Sequence, residues 1–174
     1  AIVRERERGN LELLLTTPVG RLELMLGKVL PYIGIGLVQV TVVLALGAGV
    51  FGVPMRGSLA ETYVAALLLI VANLGLGLVI STLARTQFQA MQMVFFAFLP
   101  SMLLSGFMFP FEGMPVAAQW LAQVLPLTHF LELVRGIVLR GASLSDMPVN
   151  VLALLAFTGV AMAVSVLRFS KRLD

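Results

Sequence analysis

The stretch GMPVAAQWLAQVLPLTHFL, residues 113–131, decides how this chain folds. It holds no Asp, Glu, Lys or Arg over a length close to the roughly 20 apolar residues that cross a bilayer, so hydropathy alone reads it as a span. Pro115 and Pro126 break the helical hydrogen-bond ladder, and Gln119, Gln123 and His129 add polar groups. Backbone and side-chain polar groups at that density disfavour a lipid-facing helix. The stretch is therefore expected to form a broken, re-entrant or interfacial pair of short helices over residues 114–140.

Working outward, uncharged runs mark four spans at about 29–53, 62–84, 88–109 and 147–167, with nearly all the charge in the short segments between them. The whole 174-residue chain has 59% hydrophobic and 12% charged residues, against about 25% charged in soluble domains. Its mean hydropathy is +1.01. So little charge cannot cover a water-soluble globule, which excludes a disordered chain or an ordinary soluble enzyme. The fold class expected is an all-α membrane protein.

Charge placement supports an even number of spans. With four, Arg4, Arg6, Arg8, Arg21, Lys28, Arg85, Arg168, Lys171 and Arg172 share one side, leaving Arg56, Arg135 and Arg140 opposite. A fifth span would move the last three of the first group across. The positive-inside rule then makes the N-terminal loop and the C-terminus cytoplasmic, and the net charge of +3 reads as a topology signal rather than a nucleic-acid footprint. Ala1 in place of Met and the lack of an apolar run after the first charges point to a piece of something longer rather than a signal peptide.

Residues 1–28 form the most polar part and read as cytoplasmic coupling and elbow helices, followed by a transmembrane domain over 29–174. Gly9-Asn10 offers a helix stop and then a cap, and a short helix follows up to Pro18. Leu11, Leu14 and Leu15 fall on one face of it, but about two turns are too few to be stable in water, so it needs a surface to lie on. Residues 21–28 make a second amphipathic stretch at the interface.

Gln39, Thr41, Asn73, Ser81 and Gln92 are the polar groups within the spans. They either line a substrate path or make interhelical hydrogen bonds. No charge lies mid-span, which argues against a proton relay or ion-coupled transport. In the segment after the third span, Pro115 can start a short helix, Pro126 can stop it, and Thr128 can cap another ending at Gly141. His129, Glu132 and Arg135 share a face there. One His and one Glu are too few for a metal site, so the reading is a local ion pair holding the re-entrant helices.

Catalytic motifs fail on spacing. Gly27-Lys28 looks like the end of a phosphate loop, but six residues rather than four separate Gly20 from Gly27, and Val29 follows the lysine. No Gly-x-Ser elbow precedes Ser105. Without cysteine there is no thiolate chemistry, and no catalytic, cofactor or metal residue is assigned.

Three segments in order resemble the C-terminal portion of an ABC-2 type transporter permease, the membrane subunit of a bacterial ABC exporter. Glu5-Arg6-Glu7-Arg8-Gly9-Asn10-Leu11-Glu12 with Thr17-Pro18 is similar to the family's cytoplasmic loop, apart from Asn10 where threonine is common. Leu104-Ser105-Gly106-Phe107-Met108-Phe109-Pro110 with Met114-Pro115 is similar to the segment leading into its extracytoplasmic re-entrant helices. Leu125-Pro126-Leu127-Thr128 through Arg135-Gly136-Ile137 is similar to the close of that segment.

The resemblance implies a multi-pass protein of the bacterial inner membrane that holds the last four of six spans and lacks the first two. It implies ATPase docking through Glu5, Arg6, Glu7, Gly9, Leu11, Glu12, Leu14 and Leu15. It implies a gate at Ser105, Gly106, Pro110, Pro115, Pro126, His129, Glu132 and Arg135, with Gln39, Thr41, Asn73 and Gln92 along the pathway. The partners implied are an ABC ATP-binding subunit, a second or homologous permease and the lipid bilayer, with no nucleic acid. ATP and Mg would bind the ATPase and not this chain, which is then no enzyme. The competing reading is a non-transporting membrane scaffold or assembly protein, which would need no ATPase contact.

Overall fold

Four long apolar helices dominate the computed structural model, which describes residues 21–170. They are α1 (Arg21–Gly49), α2 (Leu59–Leu83), α3 (Gln87–Leu104) and α6 (Pro148–Ser170), and each contains a segment long and apolar enough to cross a membrane. Between α3 and α6 lie α4 (Val116–Val124) and α5 (Pro126–Val134). The described residues contain no strand. The protein is an all-α membrane protein.

Local chemistry sets the helix starts. Ser58 accepts from the Glu61 N–H and Thr86 from the Gln89 N–H, each satisfying a donor that the first turn leaves free. The Gln89 side chain also accepts from the Arg85 N–H at 2.8 Å, closing the tight turn between α2 and α3. The stretch expected as an elbow at 21–28 is the beginning of α1, which runs unbroken through Pro31. The third span ends at Leu104 rather than near 109. There Ser105 turns its hydroxyl onto the Met102 carbonyl and Gly106 adopts φ +81°, a left-handed conformation that stops a helix.

The 113–131 stretch breaks as expected, with α4 and the helix after it meeting at 86°. One detail differs: α5 starts at Pro126, with Leu125 at its N-cap, not at a Thr128 cap. Proline at the first helical position lacks only an N–H that would have had no partner, and its φ is preset, so the helix begins three residues earlier. Thr128 is buried within α5, and its hydroxyl has no hydrogen-bond partner among the described residues. From Arg135 to Arg140 the helix widens into a π turn that closes on Gly141 at φ +72°.

Hydrogen bonds show that the α4–α5 pair enters and leaves at one end of the bundle. The Arg56 N–H, just before α2, donates to the Val138 carbonyl at 3.0 Å. Arg135 reaches back to the Gly106 carbonyl, just after α3, at 3.0 Å. Glu61, in the first turn of α2, accepts from Ser143 and Leu144. The start of α2, the end of α3 and the lead into α6 therefore share one end, and Arg85 marks the other. The pair is re-entrant, leaving four spans.

The core lies between α2, α5 and α6, where Ala65, Leu133, Ile137 and Leu154 are buried and Leu68, Phe130, Leu144, Met147 and Val151 pack against them. Because α2 and α6 both start at the re-entrant end, they run parallel. Small residues let them approach closely: a methyl group on Gly75 would sit 3.1 Å from the Ala161 methyl. Gly36 similarly lets α1 approach Ile70 of α2. The membrane-length parts of α1 and α3 hold no fully buried residue in the monomer, so much of their apolar surface is free for lipid or another subunit.

Candidate functional site

The re-entrant end builds a polar site from short segments that the long helices hold apart. Gly106 ends α3, Pro110 and Glu112 follow in the loop, Glu132 and Arg135 come from α5 and its π turn, and Asn150 lies in the first turn of α6. Together with Phe111, Arg140 and Met147 they line a half-open cavity of about 640 Å³. Four opposite charges thus sit around a partly apolar floor.

Directed bonds fix the walls. Arg135 donates from Nη2 to the Gly106 carbonyl, 29 residues away, in place of the expected ion pair with Glu132. The His129 ring meets the Asn150 side-chain amide at 2.9 Å through Nδ1 and the Gln123 carbonyl at 2.8 Å through Nε2. Both ring nitrogens are in use, and they tie α4, α5 and α6 together instead of offering a metal ligand. Nearby, the Glu61 carboxylate accepts from the Ser143 hydroxyl at 2.8 Å and the Leu144 N–H at 3.1 Å, while Asp146 accepts from the Ser143 N–H. The loop before α6 is thereby clamped to the first turn of α2.

Of the gate residues expected from sequence, Gly106, Pro110, Glu132 and Arg135 meet at the cavity. Ser105 is buried beside it at 3% exposure, and His129 joins through Asn150. Pro115 and Pro126 set the starts of α4 and α5. Among the expected pathway residues, the Thr41 hydroxyl bonds the Leu37 carbonyl and the Tyr63 hydroxyl, a link between α1 and α2. Gln39, Asn73 and Gln92 are exposed on the surface of the monomer. Glu5, Arg6, Glu7, Gly9, Leu11, Glu12, Leu14 and Leu15 lie outside the described residues.

Sequence reasoning missed Glu61, Glu112, Arg140 and Asn150 as site residues. Glu61 carried a usable local signal, since Ser58 three residues earlier gives the start of a capping box. Its bonds to Ser143 and Leu144 cross more than 80 residues and leave no local trace.

Comparison with known proteins decides what this architecture belongs to. Residues 1–139 of the chain match the ABC-2 type transporter family. The chain belongs to this family. It is 36% identical over 174 residues to the probable multidrug ABC transporter permease YbhS of Escherichia coli K12, covering 99% of this chain and 46% of that protein. It is 35% identical over 172 residues to the probable multidrug ABC transporter permease YbhR of the same strain, covering 99% and 47%. It is 31% identical over 144 residues to ABC transporter G family member 20 of Dictyostelium discoideum, covering 83% and 20%. The chain thus spans about half the length of the bacterial relatives it matches. No solved structure matches it. It is a four-span membrane protein of this family, and the re-entrant pair and cavity form one end of its bundle.

Proposed function

We propose that the protein is the permease subunit of an ATP-driven exporter in the bacterial inner membrane, with residues 1–28 and the C-terminus in the cytoplasm. A separate ATP-binding subunit, carrying ATP and Mg, docks on the segment 11–17 through Leu11, Leu14 and Leu15, flanked by Glu5, Arg6, Glu7 and Glu12. The observation that carries this reading is the family match from residue 1 through the π turn, which includes both the loop and the re-entrant pair.

The helices supply a mechanical route. α1 is continuous from Arg21, close behind the docking loop, to Gly49, so a push on its first turns moves the whole rod. It meets α2 at Gly36 and through the Thr41–Tyr63 bond. Tyr63 stands two residues from Glu61, whose carboxylate holds the loop before α6. Motion of α1 would thus reach the outer cap through one side-chain bond and one clamp. Exposed Gln39, Asn73 and Gln92 support a second permease across the bundle, because polar groups in lipid face partners or cavities. The apolar spans suit lipids, drugs, peptides or lipid-borne polymers alike.

Co-purification tests the docking. The native permease is expected to retain its ATP-binding subunit, and a Leu11→Ala, Leu14→Ala, Leu15→Ala variant to lose it while still inserting in the membrane. An inserted, folded native protein that never retains an ATP-binding subunit would favour the scaffold reading.

A further inference from the structure

The cavity at the re-entrant end carries charges that the four-span fold itself does not use. Glu112, Glu132 and Arg140 line it without a hydrogen-bond or ion-pair partner among the described residues, and Arg135 gives one bond to the Gly106 carbonyl. Two carboxylates and two guanidiniums make a lining with no net charge. A bare anion would meet Glu112 and Glu132, and a bare cation would meet Arg135 and Arg140. A ligand carrying both signs on one small frame satisfies all four. The volume of about 640 Å³ lies in the range of small-molecule sites, and Phe111 and Met147 give it an apolar floor.

Depth in the membrane narrows the ligand further. The cavity sits where α3 ends and α6 begins, at the edge of two spans. Between Gly106 and Pro110 in the chain, Phe107 and Phe109 are 60% and 56% exposed, and on α4 of the re-entrant pair Trp120 is 72% exposed. An exposed tryptophan at the end of a span marks the level of the lipid headgroups, and the exposed phenylalanines keep the same end against lipid. We infer that this cavity binds a zwitterionic phosphoamine headgroup, its phosphate on Arg135 and Arg140 and its primary ammonium on Glu112 and Glu132. Guanidinium matches phosphate in a planar fork, and a primary ammonium offers three donors to two carboxylates. The inference concerns one end of the bundle and holds whichever way transport runs, so it stands independently of ATPase docking.

The test is lipid retention by native mass spectrometry of the purified permease, stripped of lipid and then exposed to vesicles of phosphatidylethanolamine, phosphatidylglycerol or phosphatidylcholine. Phosphatidylethanolamine should be retained over both others, because the glycerol headgroup lacks the cation and the trimethylated amine lacks N–H donors. Arg140→Gln should weaken that retention about tenfold, the loss expected for a charged hydrogen bond. Glu132→Gln and Glu112→Gln should each reduce phosphatidylethanolamine and raise phosphatidylglycerol, whose phosphate then meets one carboxylate fewer. All three side chains are exposed, so the variants keep the core intact. Competition by soluble glycerophosphoethanolamine would assign the site to the free ester as well, and its failure would restrict the site to the lipid. Equal retention of the three lipids, or retention unmoved by all three variants, overturns the assignment.

Discussion

Glu61 is a helix-starting residue that also works as a tertiary clamp. Its backbone N–H goes to Ser58, and its two carboxylate oxygens divide between the Ser143 hydroxyl and the Leu144 N–H. In Glu61→Gln one carboxylate oxygen becomes an NH₂ group that cannot accept, and the charge is lost. The expected cost is about 1–2 kcal/mol, the scale of a charge-assisted hydrogen bond. A lowered thermal midpoint in detergent, with the loop before α6 becoming open to protease, would show it. An unchanged midpoint would mean that the loop is held elsewhere. Gly57 shows the opposite kind of constraint, in which a side chain is excluded: a methyl group there would fall against the Ile137 carbonyl. The π turn packs directly on that backbone, and Arg56 bonds to Val138 beside it.

At the scale of elements, the most extensive seam is that between α2 and α6. Gly75 faces the Ala161 methyl, whereas Gly77 has nothing within 4 Å. Gly75→Leu should therefore destabilise by about 1–3 kcal/mol through overpacking, and Gly77→Leu should be close to neutral. Thermal unfolding of the two variants compares them directly, and equal effects would remove the seam from the account. Helix existence was legible in the sequence because uncharged runs are local signals, whereas the caps at Ser58 and Thr86 that set the starts of α2 and α3 came only with the structure. Ends were less so. The third span stops at Leu104 because Gly106 turns left-handed, although Phe107, Met108 and Phe109 continue the apolar run. Hydropathy cannot distinguish an apolar loop at the interface from the last turn of a helix. The π turn at 135–140 was also invisible, since it depends on Gly136 meeting Met147 and on the Arg56 bond to Val138.

For the whole molecule, charge asymmetry and the prolines at 115 and 126 were enough to choose four spans with a re-entrant pair. What they could not supply was which polar residues gather. Gly106, Pro110, Glu132 and Arg135 were legible as site candidates from the resemblance. Glu112, Arg140 and Asn150 complete the cavity only because the chain folds back on itself between α3 and α6. Long-range juxtaposition of this kind leaves no periodicity behind. It also changes the practical design of a topology experiment, because a cysteine at Gly57 would disturb the fold it was meant to report.

The most direct test of this architecture is accessibility of single cysteines placed in the naturally cysteine-free chain at Pro54, Gly113, Ser145 and Asn10, labelled in intact cells by a membrane-impermeant thiol reagent. The first three are exposed at the re-entrant end, Pro54 in a loop and Gly113 and Ser145 in short 3-10 turns. Pro54, Gly113 and Ser145 should label from outside and Asn10 only after the membrane is opened. Labelling of Gly113 and Ser145 from opposite sides would make the α4–α5 pair a fifth span and contradict the account.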